Sequence, residues 1–316
     1  MTISSVITGL GSTVEESTPL KILTPTRPPT AGAKWATWNP ITSCVKISGG
    51  CRHCYAERIS HHYGTTTLPW NKANAAINIK LHPERLPIPL HWRDPREVFA
   101  GSMTDLFGDF VPEAYLAQIL AVMALAQKHR FMIITKRAER MRDSLNDPVF
   151  WTQVAASAEE FLNKQPKLAR PDDLSSILSN HILPNLTLAV TIESDLFVSR
   201  ADALRATPAA RRMIAAEPLL RPLISLDLTG IDLLSVGGES GGPAERRLVQ
   251  PCLEPGHRRN PRAYDSVCQG TGWTPKPEAL AWVQSLRTRA HANGVEFSLH
   301  QWGGPSASAA GNYLPD

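Results

Sequence analysis

Along most of this chain, a short apolar run of β-type residues is followed by polar residues and then by a segment with helical spacing. Near-continuous apolar strands that alternate with helices are typical of a parallel sheet covered by helices. Six or seven such units predict a closed or partly open TIM-like (β/α) barrel, and a doubly wound α/β sheet stays open as an alternative. The stretches that carry the pattern are "REVFAGSMTDLF", "RFMIITKR", "NLTLAVTIES", "RRMIAAEPLL", "IDLLSVGGESG" and "VEFSLHQWGG".

Polar residues stand directly after the predicted strands. In a barrel, the carboxyl ends of parallel strands open onto one mouth, so these side chains would gather around one site. A single polar residue at such a place could simply cap the next helix, but the whole set favours a shared pocket. The set is Asp105, Lys136, Glu193, Glu217, Glu239 and Gln301.

Two stretches depart from the pattern. Residues 1–34 are rich in Ser, Thr, Pro and Gly and predict a flexible, disordered tail ahead of a barrel over 35–316. A Pro/Gly-rich insertion at about 245–273 carries five Arg and two Glu between Glu245 and Arg262. This basic insertion could steer a nucleic acid or a nucleotide, although a solvated surface loop explains it equally well.

The cysteines bear on the cellular compartment. The chain has five of them, an odd number, and three are clustered, which is unlike the even and dense spacing of a secreted disulfide framework. We recognise no signal peptide and no apolar stretch near the roughly 20 residues that span a bilayer. We therefore expect a cytoplasmic protein with no membrane partner, whose thiolates bind metal.

The clustered cysteines are Cys44, Cys51 and Cys54, in the stretch "SCVKISGGCRHCYAER". Zinc would need a fourth ligand, which a nearby histidine could provide. A redox dithiol would use only the last two cysteines and would leave the first unexplained. A [4Fe–4S] cluster on three thiolates leaves one iron open to a small molecule. The loop follows the first strand-like segment and so would lie at the barrel mouth, which favours the cluster.

Cys252, His257 and Cys268 raise the question of a second metal site. They would need a further ligand, such as His291, and their spacing matches no standard zinc finger. We therefore interpret the two cysteines as ordinary thiols in the basic insertion.

Several motifs together resemble the radical S-adenosylmethionine (SAM) superfamily, and most closely a phage-associated three-cysteine radical-SAM-like family of unassigned substrate. The likeness runs from about Trp35 to Gly304. Two features differ from the common pattern: six residues separate the first two cysteines, and His300 replaces a frequent lysine. The motifs are "TWNPITSC", "GGCRHCYAER", "VFAGSMTDLF", "ITKRAERM", "AAEPLL", "VGGESG" and "HQWGG".

The resemblance implies a radical SAM-type barrel with a [4Fe–4S] cluster on the three clustered cysteines and SAM on the open iron. It further implies cleavage of SAM to a 5′-deoxyadenosyl radical, with an electron donor such as flavodoxin or ferredoxin. By position, the residues proposed to bind SAM are Ser102, Asp105, Lys136, Glu193, Ser194, Glu217, Gly237, Gly238 and Glu239.

Two other classes of function compete with this interpretation. The chain could be a non-catalytic, metal-stapled nucleic-acid-binding or phage accessory protein that has kept the barrel and lost the chemistry. A zinc-dependent hydrolase is disfavoured, because no His-Glu-x-x-His ligand set is present.

Overall fold

The structure is a computed structural model, and it describes residues 33–253, 268, 271–305 and 309–314. A flexible tail was predicted for residues 1–34, and residues 1–32 of it lie outside the described residues. In chain order, the strands of the described part are β1 (Lys34–Trp38), β2 (Ile41–Thr42), β3 (Lys80–Leu81), β4 (Arg96–Ala100), β5 (Arg130–Thr135), β6 (Leu186–Thr191), β7 (Arg211–Ala216), β8 (Leu233–Gly237), β9 (Val249–Pro251), β10 (Trp273–Pro275) and β11 (Glu296–Gln301).

Helices connect most of these strands. No helix in the described part of the chain is long and apolar enough to cross a membrane. The helices are α1 (Tyr55–His62), α2 (Ala75–Asn78), α3 (Ile88–His91), α4 (Glu113–Leu125), α5 (Ala138–Asn146), α6 (Pro148–Lys164), α7 (Leu174–Asn180), α8 (Ser199–Arg205) and α9 (Pro277–Ala292).

Seven strands form one parallel sheet in the order β1-β4-β5-β6-β7-β8-β11. This order follows the chain without any reversal, whereas a doubly wound sheet reverses direction at its first strand. The sheet is curled as a half-barrel, and β1 and β11 are its two edges. The structure therefore supports the partly open form of the predicted TIM-like barrel.

Alternate residues of the strands lie on two different apolar faces. In β5, Phe131 and Ile133 belong to the large core that packs against the helices. Met132, between them, belongs to a smaller cluster with Phe99 and Met213 on the opposite, concave face. Because both faces are buried, the strands show continuous apolar runs rather than an alternation of apolar and polar residues.

Residues at the ends and on the buried sides of the helices explain their limits and their packing. Pro112 directly precedes α4, as its N-cap residue. α4 is apolar on nearly all sides because it is buried between the sheet and α6. Gly294 follows α9 with a φ of 68°, a left-handed value that suits glycine and ends the helix.

The basic insertion contains regular structure that the sequence analysis did not predict. β9 and β10 pair as a short antiparallel ribbon, with Val249 opposite Pro275 and Pro251 opposite Trp273. Strands this short, each with a proline, show almost no alternation of apolar and polar residues, which explains why the sequence did not predict the ribbon. His257 lies outside the described residues.

Candidate metal centre

The three clustered cysteines lie on one loop at the carboxyl edge of the half-barrel. Ser43, just before the loop, has a φ of 74°, an uncommon value for a residue other than glycine. Cys51 ends a short 3-10 helix that begins at Gly49, and Cys54 is the N-cap residue of α1. All three thiols are free and half-buried. The loop therefore presents three sulfur atoms within eleven residues of chain.

The segment that follows β4 anchors the start of this cysteine loop. The amide of Ser43 donates to the carbonyl of Met103 at 3.0 Å, and the hydroxyl of Thr104 donates to the carbonyl of Ser43 at 2.6 Å. The hydroxyl of Tyr55 donates to the carbonyl of Ser102 at 2.7 Å. Ser102, a predicted SAM contact, is thus beside the cysteine loop and holds Tyr55 through its backbone.

Asp105 and Arg137 form a buried ion pair beside Cys44. Nη1 of Arg137 lies 3.0 Å from Oδ2 of Asp105 and 3.9 Å from Sγ of Cys44. Nη2 of the same side chain donates to the carbonyl of Val45 at 2.9 Å. Asp105 also accepts hydrogen bonds from the hydroxyl of Thr135 and from two backbone amides. The tips of β4 and β5 therefore meet directly at the first cysteine.

Glu193, after β6, reaches the middle of the cysteine loop. Its Oε1 accepts a hydrogen bond from the amide of Gly50 at 3.3 Å, and its Oε2 lies 2.9 Å from Nη1 of Arg200. A Cβ on Gly50 would come within 3.1 Å of Oε1 of Glu193 and 3.3 Å of Pro218. The loop packs this closely against the tips of β6 and β7 because position 50 is glycine. Ser194, the next residue, is also buried.

Glu239, after β8, is joined to the same loop through an arginine. Nε and Nη2 of Arg246 each lie 2.8 Å from an oxygen of Glu239, and Nη2 also donates to the carbonyl of Gly49 at 2.9 Å. Arg58 of α1 donates to the carbonyl of Ser240 at 2.9 Å. Two arginines therefore connect the cysteine loop and α1 to the tip of β8.

Glu217, after β7, contacts the last strand instead of the cysteine loop. Its carboxylate lies 3.0 Å from Nδ1 of His300 and accepts a hydrogen bond from the hydroxyl of Ser235. A Cβ on Gly237 would contact this carboxylate. A Cβ on Gly238 would clash with the backbone carbonyl of Trp302. The space at these two glycines is thus used by the chain itself, and their predicted contact with SAM stays a prediction.

The electrostatic surroundings of the three thiols differ. Burial, and then the negative charge of Asp105, raise the pKa of Cys44 to about 12. Burial also raises the pKa of Cys54. For Cys51, burial acts in the same direction, but the ammonium of Lys136 and nearby hydrogen bonds outweigh it and lower the pKa. Lys136, a predicted site residue, is therefore close enough to act on this thiol.

Several residues of the site were not assigned a role at this edge from the sequence. Arg200 and Arg246 neutralise predicted carboxylates, and His300 pairs with a third. Arg246 lies seven residues after Glu239, and Arg200 seven after Glu193, but a sequence spacing of seven outside one helix gives no contact signal. Gln301, the predicted tip of β11, accepts a hydrogen bond from the amide of Gly238 through its backbone carbonyl at 2.9 Å.

In the described part of the chain, no three His, Cys, Asp or Glu side chains are placed to hold a single metal ion. Ligands of a single ion all converge on one atom, whereas each thiolate of an iron–sulfur cluster binds a different iron. Cys252 and Cys268 are both buried in the basic insertion, where the amide of Cys252 donates to the carbonyl of Gly272 at 2.9 Å. The third residue considered for a metal site with these two cysteines, His257, lies outside the described residues.

Comparison with known proteins gives a family. No curated protein and no solved structure matches the chain. The profile described as "Protein of unknown function (DUF5131)" matches residues 32–254, more than two thirds of the sequence. The match includes the cysteine loop and the strand tips from β4 to β8. The chain therefore belongs to the DUF5131 family.

Proposed function

We propose that this chain is a radical SAM-type iron–sulfur enzyme, with a [4Fe–4S] cluster held by Cys44, Cys51 and Cys54. Such a cluster, once reduced by an external one-electron donor, would supply the electron for cleavage of the C5′–S bond of SAM, which gives methionine and a 5′-deoxyadenosyl radical. Nucleic acid or a nucleotide is the proposed substrate class, and a flavodoxin or ferredoxin the proposed electron donor. One observation carries the proposal: three half-buried free thiols share a loop at the carboxyl edge of a parallel half-barrel.

The residues around the thiols fit such a group. Nε of Arg137 and the hydroxyl of Ser43 are buried and have no hydrogen-bond partner among the described residues. Both belong to residues that adjoin Cys44, one by contact and one in the chain. Buried donors without a partner are costly, and their position beside the thiols supports an acceptor at this place. Thiolates are the usual ligands of iron–sulfur clusters.

Among the residues predicted to bind SAM, Lys136 is the one we assign to its carboxylate. Three of the predicted carboxylates already pair with an arginine: Asp105, Glu193 and Glu239. The ammonium of Lys136, in contrast, has no ion-pair or hydrogen-bond partner in the part of the chain that the structure describes, and it acts on the pKa of Cys51 and Cys54. A half-buried cation beside the metal ligands suits a carboxylate.

The first experiment is anaerobic reconstitution with iron and sulfide. We expect about four irons and four sulfides per chain, and loss of both when Cys44, Cys51 or Cys54 is replaced by alanine. Cys268→Ala is the matched control, because it removes a cysteine outside the loop and should leave the iron content unchanged. Stoichiometric zinc with no uptake of iron would refute the proposal.

The second experiment tests SAM. The reconstituted protein reduced with dithionite should release 5′-deoxyadenosine, measured by chromatography. Lys136→Gln should weaken SAM binding about ten- to a hundredfold, since a charge-assisted hydrogen bond contributes about 1.5–3 kcal/mol, while the iron content stays intact. The exposed Lys72→Gln is the control. A full cluster with neither SAM binding nor 5′-deoxyadenosine would instead favour the non-catalytic, metal-stapled accessory protein.

A further inference from the structure

Arg137 is a buried, charged side chain that contacts the sulfur of Cys44. It begins beside the tip of β5, where its amide donates to the hydroxyl of Thr135 at 2.9 Å. From there its guanidinium reaches Sγ of Cys44 at 3.9 Å and the carbonyl of Val45 at 2.9 Å. The side chain is 8% exposed, so water screens its charge weakly.

Asp105 brings the opposite charge to the same place. Its Oδ2 is 3.0 Å from Nη1 of Arg137, and its side chain is 9% exposed. Three donors hold the carboxylate independently of the arginine: the hydroxyl of Thr135 and the amides of Lys136 and Phe107. The same nitrogen of the arginine, Nη1, contacts both this carboxylate and the sulfur. The two charges therefore act on Cys44 with opposite signs, and each can be removed by itself.

We propose that Arg137 is a positioning residue that raises the reduction potential of the cluster bound at Cys44, and that Asp105 opposes it. The inference rests on the proposed function, because it needs the cluster. Reduction adds one electron from an external one-electron donor and breaks no bond, so the bound group gains one negative charge. A guanidinium hydrogen-bonded to a ligating sulfur stabilises the reduced form more than the oxidised form. A nearby carboxylate destabilises it.

The test is an anaerobic dithionite titration of the reconstituted protein, followed by electron paramagnetic resonance and measured without SAM. We expect a more negative midpoint potential for Arg137→Gln and a more positive one for Asp105→Asn. The double variant should lie between them. Arg142→Gln is the control for net charge, because Arg142 pairs with Asp143 on α5 and makes no contact with the loop. Its potential should equal that of the unmodified protein.

The outcomes separate this inference from the proposed function. If the unmodified protein binds no iron, the proposed function fails, and this inference fails with it. If the cluster forms but both single variants keep the original potential, or shift it in the same direction, only the inference is overturned. Should Arg137→Gln lose its cluster, Asp105→Asn still decides, because the remaining amide oxygen can still accept from the hydroxyl of Thr135 and the amide of Phe107. An unchanged potential in that variant would overturn the proposal.

Discussion

Replacing Glu193 with glutamine should destabilise the fold, because it leaves the guanidinium of Arg200 buried without its counter-charge. The two side chains are 1% and 7% exposed, and their charged atoms lie 2.9 Å apart. Arg200 also donates to the carbonyl of Thr191 at 2.7 Å and lies over the ring of Phe197, 4.2 Å from its centroid. These contacts hold the arginine in place, so it cannot move to water when the carboxylate is lost.

The size of the effect follows from burial. Removing one member of a buried ion pair costs about 3–5 kcal/mol, since the remaining charge keeps its desolvation penalty. Glutamine retains an oxygen that can still accept from Arg200 or from the amide of Gly50, so we expect the lower end, about 3 kcal/mol. Domains commonly have a free energy of unfolding of about 5–15 kcal/mol, so the variant should fold and remain measurable.

The assay is urea unfolding followed by circular dichroism, with the midpoint compared between variants. The double variant Glu193→Gln/Arg200→Met removes both charges and should recover much of the loss, as neutral replacements of buried pairs often do. The matched control is Glu159→Gln, which breaks an exposed pair with Arg170, and no measurable change is expected there. If Glu193→Gln and Glu159→Gln unfold at the same urea concentration, losing the buried counter-charge costs no more than losing an exposed one, and the prediction is wrong.

Two further predictions concern other parts of the half-barrel. Burial, with the neighbouring positive charges, lowers the pKa of His129 to about 4 from an ordinary 6.5. Between these two pH values the unfolded chain therefore binds more protons than the folded chain. The free energy of unfolding should fall by about 3 kcal/mol as the pH drops from 6.5 to 4. Unfolding free energies at pH 7 and pH 4.5 test this, and the slope should shrink in His129→Gln; an equal slope in both proteins would contradict it. Gly238→Ala should cost about 1–3 kcal/mol through overpacking against a backbone carbonyl, whereas Gly49→Ala, whose Cβ would meet only a leucine methyl at 3.6 Å, should unfold near the original midpoint. Thermal unfolding of both alanine variants compares them, and equal losses would show that the close approach at position 238 is easily relieved.

The sequence alone was sufficient for the order of the main strands and for the parallel type of the sheet. Apolar runs and helical spacing are local patterns. Each strand of a parallel sheet that is buried on both faces shows a continuous apolar run. The clustering of Cys44, Cys51 and Cys54 is likewise a local pattern, because all three lie within eleven consecutive residues. The placement of acidic residues after successive strands followed from the rule that parallel strands end at one edge.

Only the tertiary structure decided how the strands close and which charges meet. It leaves β1 and β11 as edges of a half-barrel, a matter of strand twist and register that no single segment encodes. It also pairs Asp105 with Arg137 and ties Gly49 to Arg246, residues 32 and 197 positions apart in the chain. Arginine occurs often enough that many pairings would satisfy these carboxylates. The choice among them depends on which side chains the folded backbone brings within about 3 Å, and that distance is fixed by packing across the whole sheet.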